Sequence, residues 1–255
     1  MSKILIVHAH PDSASLTRQL ATTAADALES AGHKVMESDL YGMGFKAVFD
    51  GADFPDRNDP ERLHFAGESF HAFSGGYQTA DVVREQEKLL AADALILQFP
   101  LWWFSMPAIL KGWIDRVWAC GLAYNYQGQG NRLRYGEGAF AGKRALVSVT
   151  TGGPASDYAP RGINGPIEEL LFPLTHGALF FPGFAVLPTY TVYGTSHIDA
   201  VGVEAAKAGL RARLATLFED APIAYRRQND GNYPDHHHLA DTVAPGASGI
   251  RAHIA

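Results

Sequence analysis

The chain has 255 residues, 47% of them hydrophobic and 19% charged, and a formal net charge of −6. That is enough apolar material for one substantial core, and the negative balance excludes the electrostatic footprint of a protein that binds nucleic acid or an anionic membrane. With Cys120 as the only cysteine, no run near the ~20 apolar residues of a membrane helix, and an opening too strand-like for a signal peptide, the expected setting is cytoplasmic, without stable membrane insertion.

Lys3 to His8 (KILIVH) reads as the first strand, and Ser15 to Ser30 as a helix with Leu16, Leu20, Ala24 and Leu28 on one face. Ser15 suits the N-cap, and Gly32 stands where a helix C-cap is expected. His33 to Asp39 is a second strand, less apolar and nearer the sheet edge. Leu40 to Tyr77 is a long irregular stretch of the kind that usually carries function. A helix runs from Thr79 to Ala92, with Asp81 in its first turn where the dipole favours an acid. Ala94 to Phe99 (ALILQF) is a strand buried on both faces, ended by Pro100, which has no N–H for a ladder.

The next helix spans Met106 to Cys120, with Ile109, Trp113 and Val117 in one row and Leu110, Ile114 and Trp118 in the next. Such a stripe suits a core or a subunit interface. Arg144 to Thr150 is a fourth strand, Pro166 to Leu174 a helix, Phe180 to Leu187 a fifth strand, and Ile198 to Phe218 the last helix. Five strands alternating with five helices predict an α/β fold, a doubly wound five-stranded parallel sheet with helices on both faces. The expected division is a domain over 1–220 and an extended C-terminal tail over 221–255, where the chain turns polar (RRQNDGNYPDHHH).

Three loops follow strands and can converge on one site: HAHPDSAS (8–15), FPLWWF (99–104) and TTGGPASDYAPRGING (150–165). Open α/β sheets bind ligands beyond the carboxyl ends of their strands. The first loop enters a helix N-terminus suited to phosphate, with Ser13, Ser15 and Thr17 supplying either donors or ordinary caps. Trp102, Trp103 and Phe104 suit a flat aromatic ligand, and Gly152-Gly153 allows close backbone approach or makes a simple turn. No GxGxxG follows the first strand, GEGAFAGKR is not a P-loop, and neither GxSxG nor HExxH occurs. Three adjacent histidines, His236 to His238, cannot all face one ion and read as solvated or interface residues.

FPLWWFSMPAILKGWIDRV, LAYNY and TTGGPASDYAPRGING, with the run Leu171 to Gly183, together resemble the NAD(P)H:quinone oxidoreductases of the DT-diaphorase type. The resemblance extends from Lys3 to about Phe218, and faintly into the tail. It implies a flavodoxin-like fold, bound FAD, NADH or NADPH as hydride donor, a quinone substrate, and a homodimer with active sites at the subunit interface. It implies flavin contacts from His10, Leu16, Thr17, Pro100, Leu101, Trp102, Trp103, Phe104, Thr150, Thr151, Gly152, Gly153 and Tyr158. Trp103 and Phe104 would border the substrate slot, which Tyr124, Tyr126 and Phe181 of the partner would line; core or dimer packing is the other reading of these aromatics. Hydride arriving at flavin N5 leaves negative charge over N1 and O2, and Tyr158 matches the family's donor for it. One slot serving both substrates in turn implies ping-pong kinetics.

The chain departs from the family pattern at three places. Where many members have a titrating histidine beside the tyrosine, this chain has Asn164, either a hydrogen-bond donor or the start of a helix before Pro166. His64 takes the place of a glutamine that reaches the partner's flavin. Of a family metal site only His176 is kept, with Phe180 and Ala224 at the other positions, so no metal is expected. Two other classes share the fold: the flavoprotein ancillary subunits of potassium-efflux systems, which bind FMN but lack the long insertion and tail, and FMN azoreductases or nitroreductase-like enzymes.

Overall fold

The computed structural model describes residues 1–255. In chain order it contains β1 (Lys3–His8), α1 (Leu16–Ser30), β2 (Lys34–Asp39), α2 (Phe65–Gly75), α3 (Ala80–Ala91), β3 (Ala94–Pro100) and α4 (Ala108–Val117). There follow β4 (Arg144–Thr150), α5 (Ile167–Leu170), a π-helical stretch (Pro173–Phe180), β5 (Ala185–Val186), β6 (Tyr190–Val192) and α6 (Ala200–Ala215). All strand pairs are parallel, in the order β2-β1-β3-β4-β5, with β6 also on β4. This is the doubly wound flavodoxin-like arrangement, whose strand order reverses between β1 and β3.

The alternation of side chains along each strand builds two cores. Ile4, Ile6, Ala94, Ile96 and Leu146 face α1 and α6. Leu5, Val7, Leu95, Leu97, Phe99, Val147 and Val149 face α4 and the 167–180 segment. Both faces of β3 are therefore covered, which explains its uninterrupted apolar run. Ser15 caps α1 by accepting the Arg18 N–H at 3.2 Å. Gly32, at φ 83°, follows the Ala31 cap in the left-handed conformation that a helix exit needs.

Three expected elements differ in detail. Pro100 belongs to β3, opposite Thr150, rather than ending it. Leu101 N–H points to β4 and bonds the Thr150 carbonyl at 2.8 Å, so the Pro100 nitrogen faces the other side, where β1 pairing has already stopped at Gln98. The proline costs no ladder bond. The expected strand from Phe180 to Leu187 shrinks to Ala185–Val186, because the helical chain begun at Pro166 continues as the π segment to Phe180. Pro188 then interrupts the edge, and pairing resumes at Tyr190. Finally, the irregular 40–77 stretch contains the unforeseen α2, whose N-cap is His64, with Nδ1 accepting the Gly67 N–H at 3.1 Å.

The same stretch is fastened to α4. Arg116, inside α4, donates from Nε to Asp53 at 2.6 Å and pairs through Nη1 with Asp81 at 2.7 Å. Gly112, one turn earlier, lies so close to the Ala47 carbonyl that an added Cβ would overlap it. Gly112→Ala must therefore push backbone from backbone, and we expect a loss of about 1–3 kcal/mol in urea unfolding, the usual range for overpacking. A gain in stability, as helix propensity alone predicts, would show that the contact yields.

The tail returns to the body. Tyr225 bridges to Ile254, and Gln228, Tyr225 and Ala252 are buried. No helix is long and apolar enough to cross a membrane.

Candidate active site

The registers His8↔Gln98 and Pro100↔Thr150 align the carboxyl ends of β1, β3 and β4, so their three loops meet at one edge. In the first loop the Asp12 carboxylate accepts the Ala14 N–H at 2.8 Å, and the Asp12 backbone N–H donates to His10 Nδ1 at 3.0 Å. This tight turn sets the His10 ring 5.9 Å from Trp102 of the second loop. It also aims the first turn of α1, with Leu16 and Thr17, at the loop mouth, where helix geometry leaves N–H groups without intrahelical partners. Beneath it, Thr17 Oγ1 and Thr150 Oγ1 are 2.9 Å apart, a buried link between the first and third loops.

The second loop is a tight reversal: Trp102 and Ser105 exchange backbone hydrogen bonds of 2.9 and 3.0 Å. Trp103 (φ 50°) and Phe104 (φ 61°) both occupy the left-handed region, rare for bulky residues and a form of strain that gathers at functional sites. The turn holds Trp103 94% exposed, with Trp102 and Phe104 also open to solvent. These rings top an apolar cavity of about 650 Å³ walled by Met106, Ile114, Leu171 and Leu174.

In the third loop Tyr158 OH lies 2.6 Å from Thr151 Oγ1. A Cβ on Gly153 would press the Tyr158 ring at 3.3 Å, and one on Gly152 would meet Ser196 Oγ at 2.5 Å, so the Gly-Gly pair clears the strip of backbone beside the tyrosine. Asn164 donates its backbone N–H to the Asp157 carbonyl at 2.9 Å and precedes the Pro166 cap of α5. Gly162 is as constrained: a Cβ there would overlap the carbonyl oxygens of Ser156 and Asp157.

Tyr124 and Phe181 share a second cleft with Lys111, Ile114 and Trp118, joined to the aromatic cavity through Lys111, Ile114, Pro173 and Ala178. Tyr126 lines neither space and opens a 3₁₀ turn instead. Phe180 packs against His176 at 5.5 Å, as an aromatic wall rather than a ligand. Tyr193, 5.6 Å from the Tyr158 ring, and Ser196 were not foreseen. Reading YTVYGTS as a strand and loop at the same sheet edge would have found them.

Electrostatics beneath the first loop are fixed by His8, Arg18 and Glu37. Arg18 Nη1 is 2.9 Å from Glu37 and 2.5 Å from His8 Nε2. The hydrogen bond with His8 and then those with Arg18, against the opposing effect of burial, bring the Glu37 carboxyl down to about 2. Three buried polar atoms that make no hydrogen bond, His8 Nδ1, Gln98 Nε2 and Ser148 Oγ, stand in adjacent register on β1, β3 and β4.

A family model described as the flavodoxin-like fold matches residues 2–216. A ribosyldihydronicotinamide dehydrogenase-like protein of Penicillium crustosum is 44% identical over 234 residues, 91% of this chain and 86% of that protein. NAD(P)H dehydrogenase [quinone] 1 of Rattus norvegicus is 38% identical over 224 residues, 88% and 80% of the two chains. A crystal structure from Klebsiella pneumoniae, described as that of a candidate quinone reductase, is 50% identical, covers 100% of both chains and superposes with a TM-score of 0.96. The chain belongs to the flavodoxin-like family, in the branch of the NAD(P)H:quinone oxidoreductases.

Proposed function

We propose that this protein is an NAD(P)H:quinone reductase that carries FAD and works as a homodimer. The observation that carries the reading is the Trp102–Phe104 turn, strained and held open at the switch point of the sheet, on the loop that follows the strand paired with the one leading to Tyr158. The residues present fit a flavin. The apolar cavity and exposed rings suit its flat ring system, the glycine strip admits close approach, and the first turn of α1 suits its phosphates. When bound, the flavin supplies the two-electron chemistry, taking hydride from a nicotinamide and giving it to a quinone.

The chain's own groups orient and stabilise. Tyr158 donates its phenol proton as a hydrogen bond toward the negative charge that develops, and Thr151 holds the phenol in place. Trp103 and Phe104 stack on the planar substrates and exclude water. A single protomer leaves Trp103 and Ile163 almost wholly in solvent, at 94% and 91% exposed. A second copy presenting Tyr124, Tyr126 and Phe181 completes the wall, and one slot used in turn by both substrates gives ping-pong kinetics. Asn164 serves as a turn residue, its backbone N–H bonded to the Asp157 carbonyl ahead of the Pro166 cap.

An anaerobic titration tests the reading. The flavin band should bleach with NADH or NADPH and recover with menadione, and the released cofactor should be FAD. FMN, or a flavin that nicotinamide does not reduce, would move the protein to the class of flavoprotein regulatory subunits. Trp103→Ala should lower menadione kcat/KM about three- to tenfold, the value of one aromatic contact of roughly 0.5–1.5 kcal/mol. Unchanged kinetics would leave the ring without a role in the slot.

A further inference from the structure

A cavity of about 310 Å³ lies where the tail folds back on the body, among Arg134, Tyr135, His176, Arg226, Tyr233 and His237. Its lining contains two arginines and four histidines and no carboxylate. Both guanidiniums are held by neutral acceptors. Arg134 donates from Nε to Gln228 Oε1 at 2.8 Å and from Nη2 toward the His236 carbonyl at 3.5 Å and His237 Nδ1 at 3.3 Å. Arg226 donates from Nε to the Ala252 carbonyl at 3.1 Å and from Nη2 to that of Ile254 at 3.3 Å. Neither forms an ion pair, and the Nη1 group of each has no protein acceptor. The forks are therefore oriented without being neutralised.

The nearby acids lie outside the lining and accept backbone N–H groups. Asp235 accepts the His237 and His238 N–H groups, and Asp230 those of Arg227 and Asn232. Gln228, 3% exposed, is itself fixed by donating to the Asn131 carbonyl at 2.9 Å. His176 is stacked on Phe172 at 4.5 Å and Tyr135 at 4.9 Å, and burial, with His253 nearby, lowers its pKa to about 4. It forms a neutral wall. Tyr135 and His236, both in the lining, hold positive φ. Two charged forks facing one small space, with imidazoles and a phenol beside them, match an oxyanion with several acceptor oxygens.

We propose that this cavity binds a phosphate-class anion, a phosphate monoester or diphosphate, at a site separate from the loops at the sheet edge. At about 310 Å³ it is near the lower limit of small-ligand pockets and takes a diphosphate or a small phosphorylated group. The proposal does not depend on the flavin reading, since its ligand and its residues are different.

Isothermal titration of the flavin-loaded protein with pyrophosphate tests it. One site per chain is expected, weakened about tenfold or more in Arg134→Met and much less in Arg134→Lys. His237→Ala, an exposed side chain, should weaken binding a few-fold with an unchanged melting temperature, which keeps the test valid if Arg134→Met loosens the tail. Adenosine 2′,5′-bisphosphate separates the sources. Competition with pyrophosphate, with Arg134→Met raising KM for NADPH more than for NADH, assigns the site to the phosphorylated end of the nicotinamide donor and rests on the reductase reading. Pyrophosphate binding without that competition assigns it to a separate phosphorylated ligand. No binding of pyrophosphate or inorganic phosphate up to about 10 mM, or binding that neither variant alters, overturns the proposal.

Discussion

Tyr158→Phe should slow reduction of the bound flavin by NADH about a hundredfold while weakening flavin binding only a few-fold. The two effects differ because the phenol acts mainly on charge that appears during the reaction. Removing one donor aimed at developing charge typically costs 10²–10³ in rate. A single neutral hydrogen bond to a resting ligand contributes about 1 kcal/mol, or roughly fivefold in affinity. The hydroxyl is well placed for the role, since Thr151 Oγ1 at 2.6 Å restrains it and the glycines beside it leave the approach clear. Phenylalanine preserves the ring and its packing near Tyr193. Stopped-flow reduction and flavin titration of the same preparation separate the two quantities. Equal losses in both would make Tyr158 a binding residue, and an unchanged reduction rate would remove it from the chemistry. Thr151→Val supplies a graded comparison: the phenol stays but loses its restraint, so the rate should fall by less than in Tyr158→Phe.

The alternation of apolar runs with amphipathic helices makes the sheet, its two covered faces and the convergence of three loops legible in the sequence itself. Those features depend on period-2 and period-3.6 patterns that β1, β3, β4 and α1 carry clearly. α2 was hidden because its sequence, FAGESFHAFSG, begins on an unusual cap, His64, and contains two glycines and two serines, residues of poor helix propensity. Tertiary contacts supply what propensity lacks: Ser69 Oγ receives the Cys120 N–H at 2.9 Å, and Glu68 receives those of Asn58 and Asp59. The broken edge strand was hidden for a different reason. Phe180 to Leu187 is apolar throughout, and an apolar run without period reads equally well as strand or buried helix. In the site, Trp103 and Tyr158 were visible as residue types, but the strained turn and the Thr151 partner exist only in three dimensions. The charges inside the 40–77 stretch were the least legible of all, because pairs such as Asp53 with Arg116 join residues 63 positions apart.

That pair sets the largest stability effect. Arg116→Met should destabilise the protein by about 3–5 kcal/mol, the usual cost of removing one partner from a buried ion pair. Arg116 is 4% exposed and Asp53 5%, so the variant strands a buried carboxylate with Lys46, 3.0 Å away, as its remaining cationic partner. The variant also loses hydrogen bonds to the Lys46 carbonyl and to Thr79, and the stacking of the guanidinium over Phe45 at 4.7 Å. Asp81→Asn should cost far less, since Asp81 is partly solvated and exposed pairs are worth about 0–1 kcal/mol. Acid reads the Asp81 arm of the network. Burial alone would raise the Asp81 pKa, but hydrogen bonds from Arg116 and Thr79 outweigh it and hold the carboxyl at about 2. Its contribution is therefore complete above the ordinary value near 4 and fades as pH falls toward 2. Wild type should lose this increment over that interval, and Arg116→Met, without the guanidinium that lowers the Asp81 carboxyl most, should lose a smaller one. Urea midpoints at unchanged m-value measure both effects. A loss below about 1 kcal/mol in Arg116→Met would mean that the 40–77 stretch is anchored to α4 by its apolar contacts, Phe45 foremost, with the ions merely accommodated.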